Sequence, residues 1–241
     1  MKIEGKNPVR EIISSDATVE KLIVENGNKD SVIREIISLA REKKIKVEFV
    51  DKRGLDKISE TGHHQGVIAE YTDFKYADLD ELIRDASDKG SEMLFLVLDE
   101  ILDPHNLGSI IRVAECAGAT GVIIPSRRSA TVNETVIRTS AGATAHLPVV
   151  KVGNINQAIE KLKENNVWVY GLDMDGEEMY KTNLTGNVAL VVGNEGEGIR
   201  ELTKKLCDGV ISIPMFGKVN SLNASVSAAV ATYEVIRQRR K

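Results

Sequence analysis

From the first residue to about position 72, apolar side chains recur in two periods. TVEKLIVEN, KIKVEFVD and QGVIAEY carry short β-branched runs of strand length, whereas DSVIREIISLAREKK between them spaces its apolar residues at three and four, as a helix with one buried face does. Pro8 suits the first turn of an opening helix, where its missing N–H costs no hydrogen bond. Residues 1–72 are expected to form a small α/β domain. The next stretch, YTDFKYADLDELIRDASDKG, is the most acidic of the chain and ends in a glycine placed to stop a helix, so 73–90 reads as a linker.

A second series starts at Met93. MLFLVLD, GVIIP, HLPVV, VWVYGLD, VALVVG and GVISIP are near-continuous apolar runs separated by segments of helical period. Strands apolar on both faces are buried on both faces, the pattern of a parallel sheet covered by helices. The fold class is α/β, with 91–241 as the second domain.

Composition works mainly by exclusion. A chain of 241 residues, 42% of them hydrophobic, can bury a core in one large or two small domains. Its net charge of -4 gives no overall attraction for nucleic acid, so a phosphate-binding surface has to be a local cluster. Cys116 and Cys207 stand in apolar stretches without CxxC or histidine spacing, and are expected to be reduced, buried thiols; no metal site is expected. No window approaches the roughly 20 apolar residues of a membrane span, so a soluble, cytoplasmic protein without a membrane partner is expected.

In α/β sheets ligands bind at the loops beyond the carboxyl ends of strands. After the first strand of the second series, DPHNLGSIIR turns at Asp103 and Pro104 and opens a helix that His105 or Asn106 can cap, with Arg112 two turns on. Arg127 and Arg128 follow the second strand; they suit either a solubilising loop or phosphate contact, for which forked guanidinium donors are apt. VALVVGNEGEGIR has neither the glycine order of a dinucleotide loop nor the lysine of a phosphate-binding loop. Glu195 and Glu197 would repel a pyrophosphate by several kcal/mol in a partly dehydrated cleft, which favours a cation-bearing nucleoside such as S-adenosylmethionine. Taken alone, the two carboxylates also fit a helix N-terminus. Ser221 and Asn223 can cap the last helix, whose Ala and Ser residues from 224 to 231 suit close packing.

Three blocks, DPHNLGSIIR, VVGNEGEGIREL and IPMFGKVNSLNASVSAAV, resemble in order and spacing the three motifs of the SpoU/TrmH-type RNA 2′-O-ribose methyltransferases of the SPOUT superfamily. With GKNPVREII and HHQGVIAEY, residues 1–72 also resemble the ribosomal-protein-like RNA-binding domain of the large-subunit rRNA guanosine methyltransferases. The resemblance implies a deep trefoil knot near the C-terminus, S-adenosylmethionine bound in it, a homodimer, and RNA as substrate, ribosomal RNA first. It implies a catalytic set of Asn106, Arg112, Glu195, Ser221 and Asn223, and a donor held by Gly193, Ile213 and Leu222 with Thr139 nearby. Arg127 and Arg128 are the expected RNA contacts, and His63 and His64, assigned no catalysis, have side chains suited to stacking on an unpaired base.

The reaction so implied is in-line attack of a ribose 2′-hydroxyl of RNA, a guanosine of large-subunit rRNA, on the sulfonium methyl. Alternatives are a tRNA 2′-O-methyltransferase and a non-catalytic RNA-binding ribosome-assembly factor of the same fold; a nicotinamide-dependent dehydrogenase suffers from the wrong glycine order and the acidic loop. Binding alone does not require all five residues of the catalytic set, which weighs against the assembly factor.

Overall fold

A computed structural model describes residues 1–241 except Asp16, Asp73, Glu195 and Lys241. The chain divides into two compact units, Met1–Lys75 and Tyr76–Lys241.

The first unit carries a four-stranded sheet in the order β1-β4-β2-β3, formed by β1 (Lys2–Glu4), β2 (Thr18–Glu25), β3 (Lys46–Val50) and β4 (Val67–Thr72). β2 and β3 are parallel, and β4 runs antiparallel to β1 and β2. Helices α1 (Lys6–Ser14) and α2 (Ser31–Glu42) supply Val9, Ile13, Ile33 and Ile36 to a core shared with Leu22 and Val67. Asp30 caps α2 by accepting from the backbone N–H groups of Val32 and Ile33. Burial of Ile33, Ile36 and Ala40 follows the helical spacing seen in the sequence. β1 and the short helix α3 (Lys52–Ile58) were not anticipated. Three residues of KIE and a seven-residue helix with one buried side chain, Leu55, carry too few apolar positions to establish a period.

The second unit opens with helix α4 (Leu79–Asp88), inside the expected linker. Leu79, Ile83 and Ala86 are buried in the main core of this unit with Phe95, Val97 and Val191, so the acidic residues of the stretch form only the outer face of a packed helix. The unit therefore begins at Tyr76 rather than 91.

Its sheet is formed by β5 (Leu94–Asp99), β6 (Gly121–Pro125), β7 (Val149–Val152), β8 (Trp168–Glu178), β9 (Val188–Gly193) and β10 (Gly209–Ser212). The order is β10-β8-β9-β5-β6-β7, and every neighbouring pair is parallel. All six residues of β5 and the first five of β9 are buried, as two-sided burial of the apolar runs predicts. Helices α5 (Pro104–Cys116), α6 (Glu134–Thr139), α7 (Ile155–Glu164), α8 (Glu201–Leu206) and α9 (Ala224–Arg239) complete the unit. At Gly176 an added Cβ would lie 2.6 Å from the backbone of Val210 and Ile211, so the end of β8 crosses β10 too closely for any side chain. Ala224, Ala228 and Ala231 are the buried small face of α9, as expected. Cys116 is exposed, not buried, because it ends α5 on the helix face away from Ile110, Ile111 and Ala114; Cys207 is half-buried, and burial pushes its thiol pKa up to about 12.

Candidate functional site

The carboxyl ends of β5 and β9 lie side by side, with Asp99 paired to Gly193. Beyond Gly193 the chain turns sharply back, because the N–H of Asn194 donates to the carbonyl of Gly198 at 3.0 Å and the Gly198 N–H donates back at 2.8 Å. The Asn194 side chain braces the turn twice, accepting from the Gly196 N–H at 2.8 Å and donating to the Glu100 carbonyl at 3.0 Å. A Cβ on Gly193 would fall 2.2 Å from the Gly198 carbonyl carbon. Glycine is required there by the loop's own backbone, before any ligand is considered.

The exit of the loop is fixed by charge. Asp99 is fully buried and accepts from the Arg200 N–H at 3.1 Å and from Arg200 Nε at 2.8 Å, with Nη2 at 2.6 Å. The hydrogen bond to Asp99 holds the Arg200 pKa above its ordinary value, against the opposing effect of burial. Arg200 Nη1 also reaches Glu100 Oε1 at 3.3 Å.

This loop walls a cavity of about 440 Å³, within the roughly 300–1,000 Å³ typical of small-molecule sites. Of the residues expected from sequence, Gly193, Ile213, Ser221 and Leu222 line it together. Asp173, Asp175 and Glu197 add carboxylates, while Leu172, Ile199 and Ile211 add apolar wall. Lys204 pairs with Asp173 at 3.1 Å and Asp175 at 3.7 Å. Burial lowers the Lys204 pKa, but the Asp173 hydrogen bond and the surrounding carboxylates outweigh it and raise the value overall.

Asn106 and Asn223 meet at a second junction. Asn223 Nδ2 donates to Asn106 Oδ1 at 3.0 Å across 117 positions of sequence, while Asn223 Oδ1 caps α9 by accepting from the N–H groups of Ser225 and Val226. Asn106 is buried on α5, whose cap is Asp103 rather than Asn106 or His105: its carboxylate accepts from the His105 N–H, with Pro104 as first helical residue. Gly108 lets α6 approach, since a Cβ there would stand 2.7 Å from Thr139 Cβ. Thr139 packs on this point, with Oγ1 3.4 Å from His105 Nδ1, and does not line the cavity. Arg112 is exposed on α5 with no ion-pair or hydrogen-bond partner among the described residues. Arg127 and Arg128 are exposed beyond β6, and Arg128 Nη1 lies 3.6 Å from Glu100 Oε1. Glu195 lies outside the described residues.

In the first unit, His64 is buried: Nε2 lies 2.9 Å from Asp56 Oδ1, and Nδ1 accepts from the Gly66 N–H at 3.0 Å. Both ring nitrogens are engaged, so it is not the stacking surface expected of it; His63 is exposed. Asp99, Glu100, Asp173, Arg200 and Lys204 escaped the sequence reading. Asp99 and Asp173 were findable, because each is a carboxylate closing an apolar run at the ligand end of a parallel strand; the lysine and arginine carry no such signal.

Residues 93–233 match the SpoU rRNA Methylase family, and residues 2–77 match the family described as RNA 2′-O ribose methyltransferase substrate binding. YacO of Bacillus subtilis (strain 168), whose name places it in the TrmH family of tRNA/rRNA methyltransferases, is 43% identical over 98% of this chain and 94% of its own. Among solved structures, the SpoU methyltransferase AviRb from Streptomyces viridochromogenes in complex with AdoMet is similar at a TM-score of 0.62 and 26% identity, over 99% of this chain and 90% of that one. An RNA 2′-O ribose methyltransferase is similar at 0.58 and 25%, over 100% and 89%. Among the described residues no helix is long and apolar enough to cross a membrane. With two family matches covering both units and a 43% identical relative along nearly all of its length, the chain belongs to the SpoU/TrmH family of S-adenosylmethionine-dependent RNA methyltransferases.

Proposed function

We propose that this protein methylates the 2′-oxygen of a ribose in RNA, at a guanosine of large-subunit ribosomal RNA. The observation that carries the reading is the junction of Asn106 with Asn223, which joins the first and third motif blocks where Ser221 and Leu222 enter the cavity wall. The cavity fits the donor in chemistry as well as size. Its exposed Glu197 and the carboxylates of β8 suit a ligand bearing ammonium and sulfonium charge and disfavour a pyrophosphate.

When bound, S-adenosylmethionine supplies a methyl group on a positively charged sulfur that departs neutral. The chain then has to orient, exclude water and manage one proton. Gly193, Ile213 and Leu222 offer backbone to hold the donor, with Thr139 nearby, packed against Gly108 of α5. Fixing the reacting groups at near-attack geometry is worth roughly 7–11 kcal/mol. Asn106, Ser221, Asn223 and Glu195 complete the catalytic set, with Arg112 binding the phosphate next to the target ribose and stabilising charge that develops on the 2′-oxygen.

Residues 2–77, matched to a substrate-binding family, supply RNA affinity, with Arg127 and Arg128 as phosphate contacts in the second unit. A homodimer belongs to the same reading: Phe216 is 98% exposed and Val219 74%, both within the third block, and Tyr233 of α9 is half-exposed. Light scattering of the full chain tests it.

The function is tested by mapping methylated nucleosides in RNA from a strain lacking the gene. One 2′-O-methylguanosine should vanish from large-subunit rRNA and return with the wild-type gene. Loss from tRNA instead would select the tRNA alternative, and an unchanged pattern in both would reject the reading.

A further inference from the structure

Glu100, which the reaction as described does not use, combines a strained backbone with an unsatisfied buried oxygen. Its backbone sits at φ +63°, a left-handed conformation that L residues other than Asn, Asp and His seldom adopt. Its carboxylate is largely buried, and Oε1 has no hydrogen-bond partner among the described residues. Two guanidiniums stand near that same oxygen, Arg200 Nη1 at 3.3 Å and Arg128 Nη1 at 3.6 Å, in charge contact without hydrogen-bond geometry. Strain and an unsatisfied buried oxygen both weaken the fold. A glycine would remove both.

What the position gains is connection. Through its carbonyl, which accepts from Asn194 Nδ2, and through Arg200, Glu100 touches both ends of the loop that walls the cavity. Through Arg128 it touches the loop beyond β6. Asp99 holds Arg200 from the other side, so the order Arg128, Glu100, Arg200, Asp99 forms a charge ladder of two cations and two anions.

We propose that Glu100 is a positioning residue for methyl transfer, fixing the Arg127–Arg128 loop and the 193–200 loop in one geometry so that RNA held by the first meets the donor held by the second. The inference rests on the functional reading above. A phosphate that engages Arg128 draws one cation from the shared Oε1 and leaves Arg200 to Glu100 and Asp99 alone. RNA binding is thereby felt at the donor loop, and by linkage the donor is felt at the RNA loop to the same degree.

The experiment compares the full-length protein with E100Q and E100G, using S-adenosylmethionine as donor and total RNA from a strain lacking the gene as acceptor. Three quantities are read: donor Kd by calorimetry without RNA, kcat for methyl incorporation, and melting temperature. Both variants should hold donor Kd within about threefold while kcat falls by at least about tenfold. E100G should melt at or above the wild-type temperature, since it relieves the backbone and removes the unsatisfied oxygen. A merely structural Glu100 would instead lower stability and activity together, and that result, or a kcat within threefold of wild type, overturns the inference. If wild-type protein transfers no methyl group to this RNA, the functional reading itself fails, and the inference with it.

Discussion

A carboxylate holds each of two glycine-containing loops in this protein, and the two do so in different ways. In the first unit, Glu4 accepts hydrogen bonds of 2.6 Å each from Ser59 Oγ, the Glu60 N–H and Thr61 Oγ1, gathering the loop that leads to His63 and His64. In the second, Asp99 grips the far end of the 193–200 loop through a guanidinium and a backbone N–H. Glu4 is half-buried and its partners are neutral groups on three consecutive residues, 55–57 positions away; Asp99 is fully buried and its partner is charged and 101 positions away. Both latches depend on tertiary structure: the first needs β1 in place on β4, and the second exists only when β5 and β9 are in register. The loop that walls the cavity is tied by charge to a central strand, and the loop of the first unit by neutral donors to an edge strand.

Glycine substitution is the strongest way to break this contrast. Alanine at Gly193 would place Cβ against the Gly198 backbone at 2.2 Å, with no flexible side chain to move aside. Gly193→Ala should cost about 3 kcal/mol, the upper range for overpacking, and should abolish donor binding measured by calorimetry. Gly62, in the first loop, has φ +73° and nothing within 4 Å of its would-be Cβ. Gly62→Ala should cost only the left-handed backbone, about 1–2 kcal/mol, with donor affinity unchanged. Equal costs in urea unfolding would show that the two loops are not held differently.

Arg112 sharpens the comparison at the level of chemistry, because it is exposed and without a partner among the described residues, while Asn106 on the same helix is buried and bonded. Arg112→Ala should leave folding and donor affinity alone and lower the transfer rate by about two orders of magnitude or more, as removal of one positioned charge does. Transfer within a few-fold of wild type would remove Arg112 from the site.

The same division decides what could be read from sequence. The parallel sheet was legible because β6 and β9 carry no polar side chain and β5 none before its final Asp99, and a strand with no polar face has no solvent side. Helix α4 was misread as a linker because its Asp and Glu residues dominate composition, although Leu79, Ile83 and Ala86 already have helical spacing. The meeting of Ile213, Ser221 and Leu222 with Gly193 at one cavity followed from motif resemblance, never from periodicity. The charge ladder through Glu100 and Arg200 was invisible for a physical reason. Ion pairs between residues about 100 positions apart leave no local pattern, and a strained φ is a property of the backbone rather than of the residue type.

The first latch is also sensitive to pH. Burial pushes the Glu4 pKa up, but hydrogen bonds from Ser59, Thr61 and the Glu60 backbone outweigh it and bring the value from 4.5 down to about 2. A depressed carboxylate pKa contributes stability that is fully present above its unfolded value near 4.5 and is lost as pH falls through the folded value near 2. Discounted for solvent screening, the contribution is about 1–2 kcal/mol. Glu4→Gln should therefore destabilise the first unit by that amount at pH 7, and the gap from wild type should close between pH 4.5 and 2. A gap that stays constant across this range would mean that shape, not charge, holds the loop.

The smallest effect is expected at the exposed rim of the second unit, where Arg127 and Arg128 stand clear of the core. Arg127 has no ion-pair partner among the described residues, while Arg128 is shared with Glu100. As phosphate contacts they act through released counterions, so each one removed should reduce the slope of log affinity against log salt by about 1 and weaken RNA binding a few-fold near physiological salt. Arg127→Ala should do this alone, leaving donor affinity untouched. Arg128→Ala should do the same to the salt slope and in addition lower kcat, because it also removes one end of the ladder that reaches the donor loop. Filter binding across a salt series, run beside single-turnover methylation, separates the two arginines. If both variants change only affinity and slope, Arg128 is a phosphate contact and nothing more; if neither changes the slope, RNA does not pass over this loop.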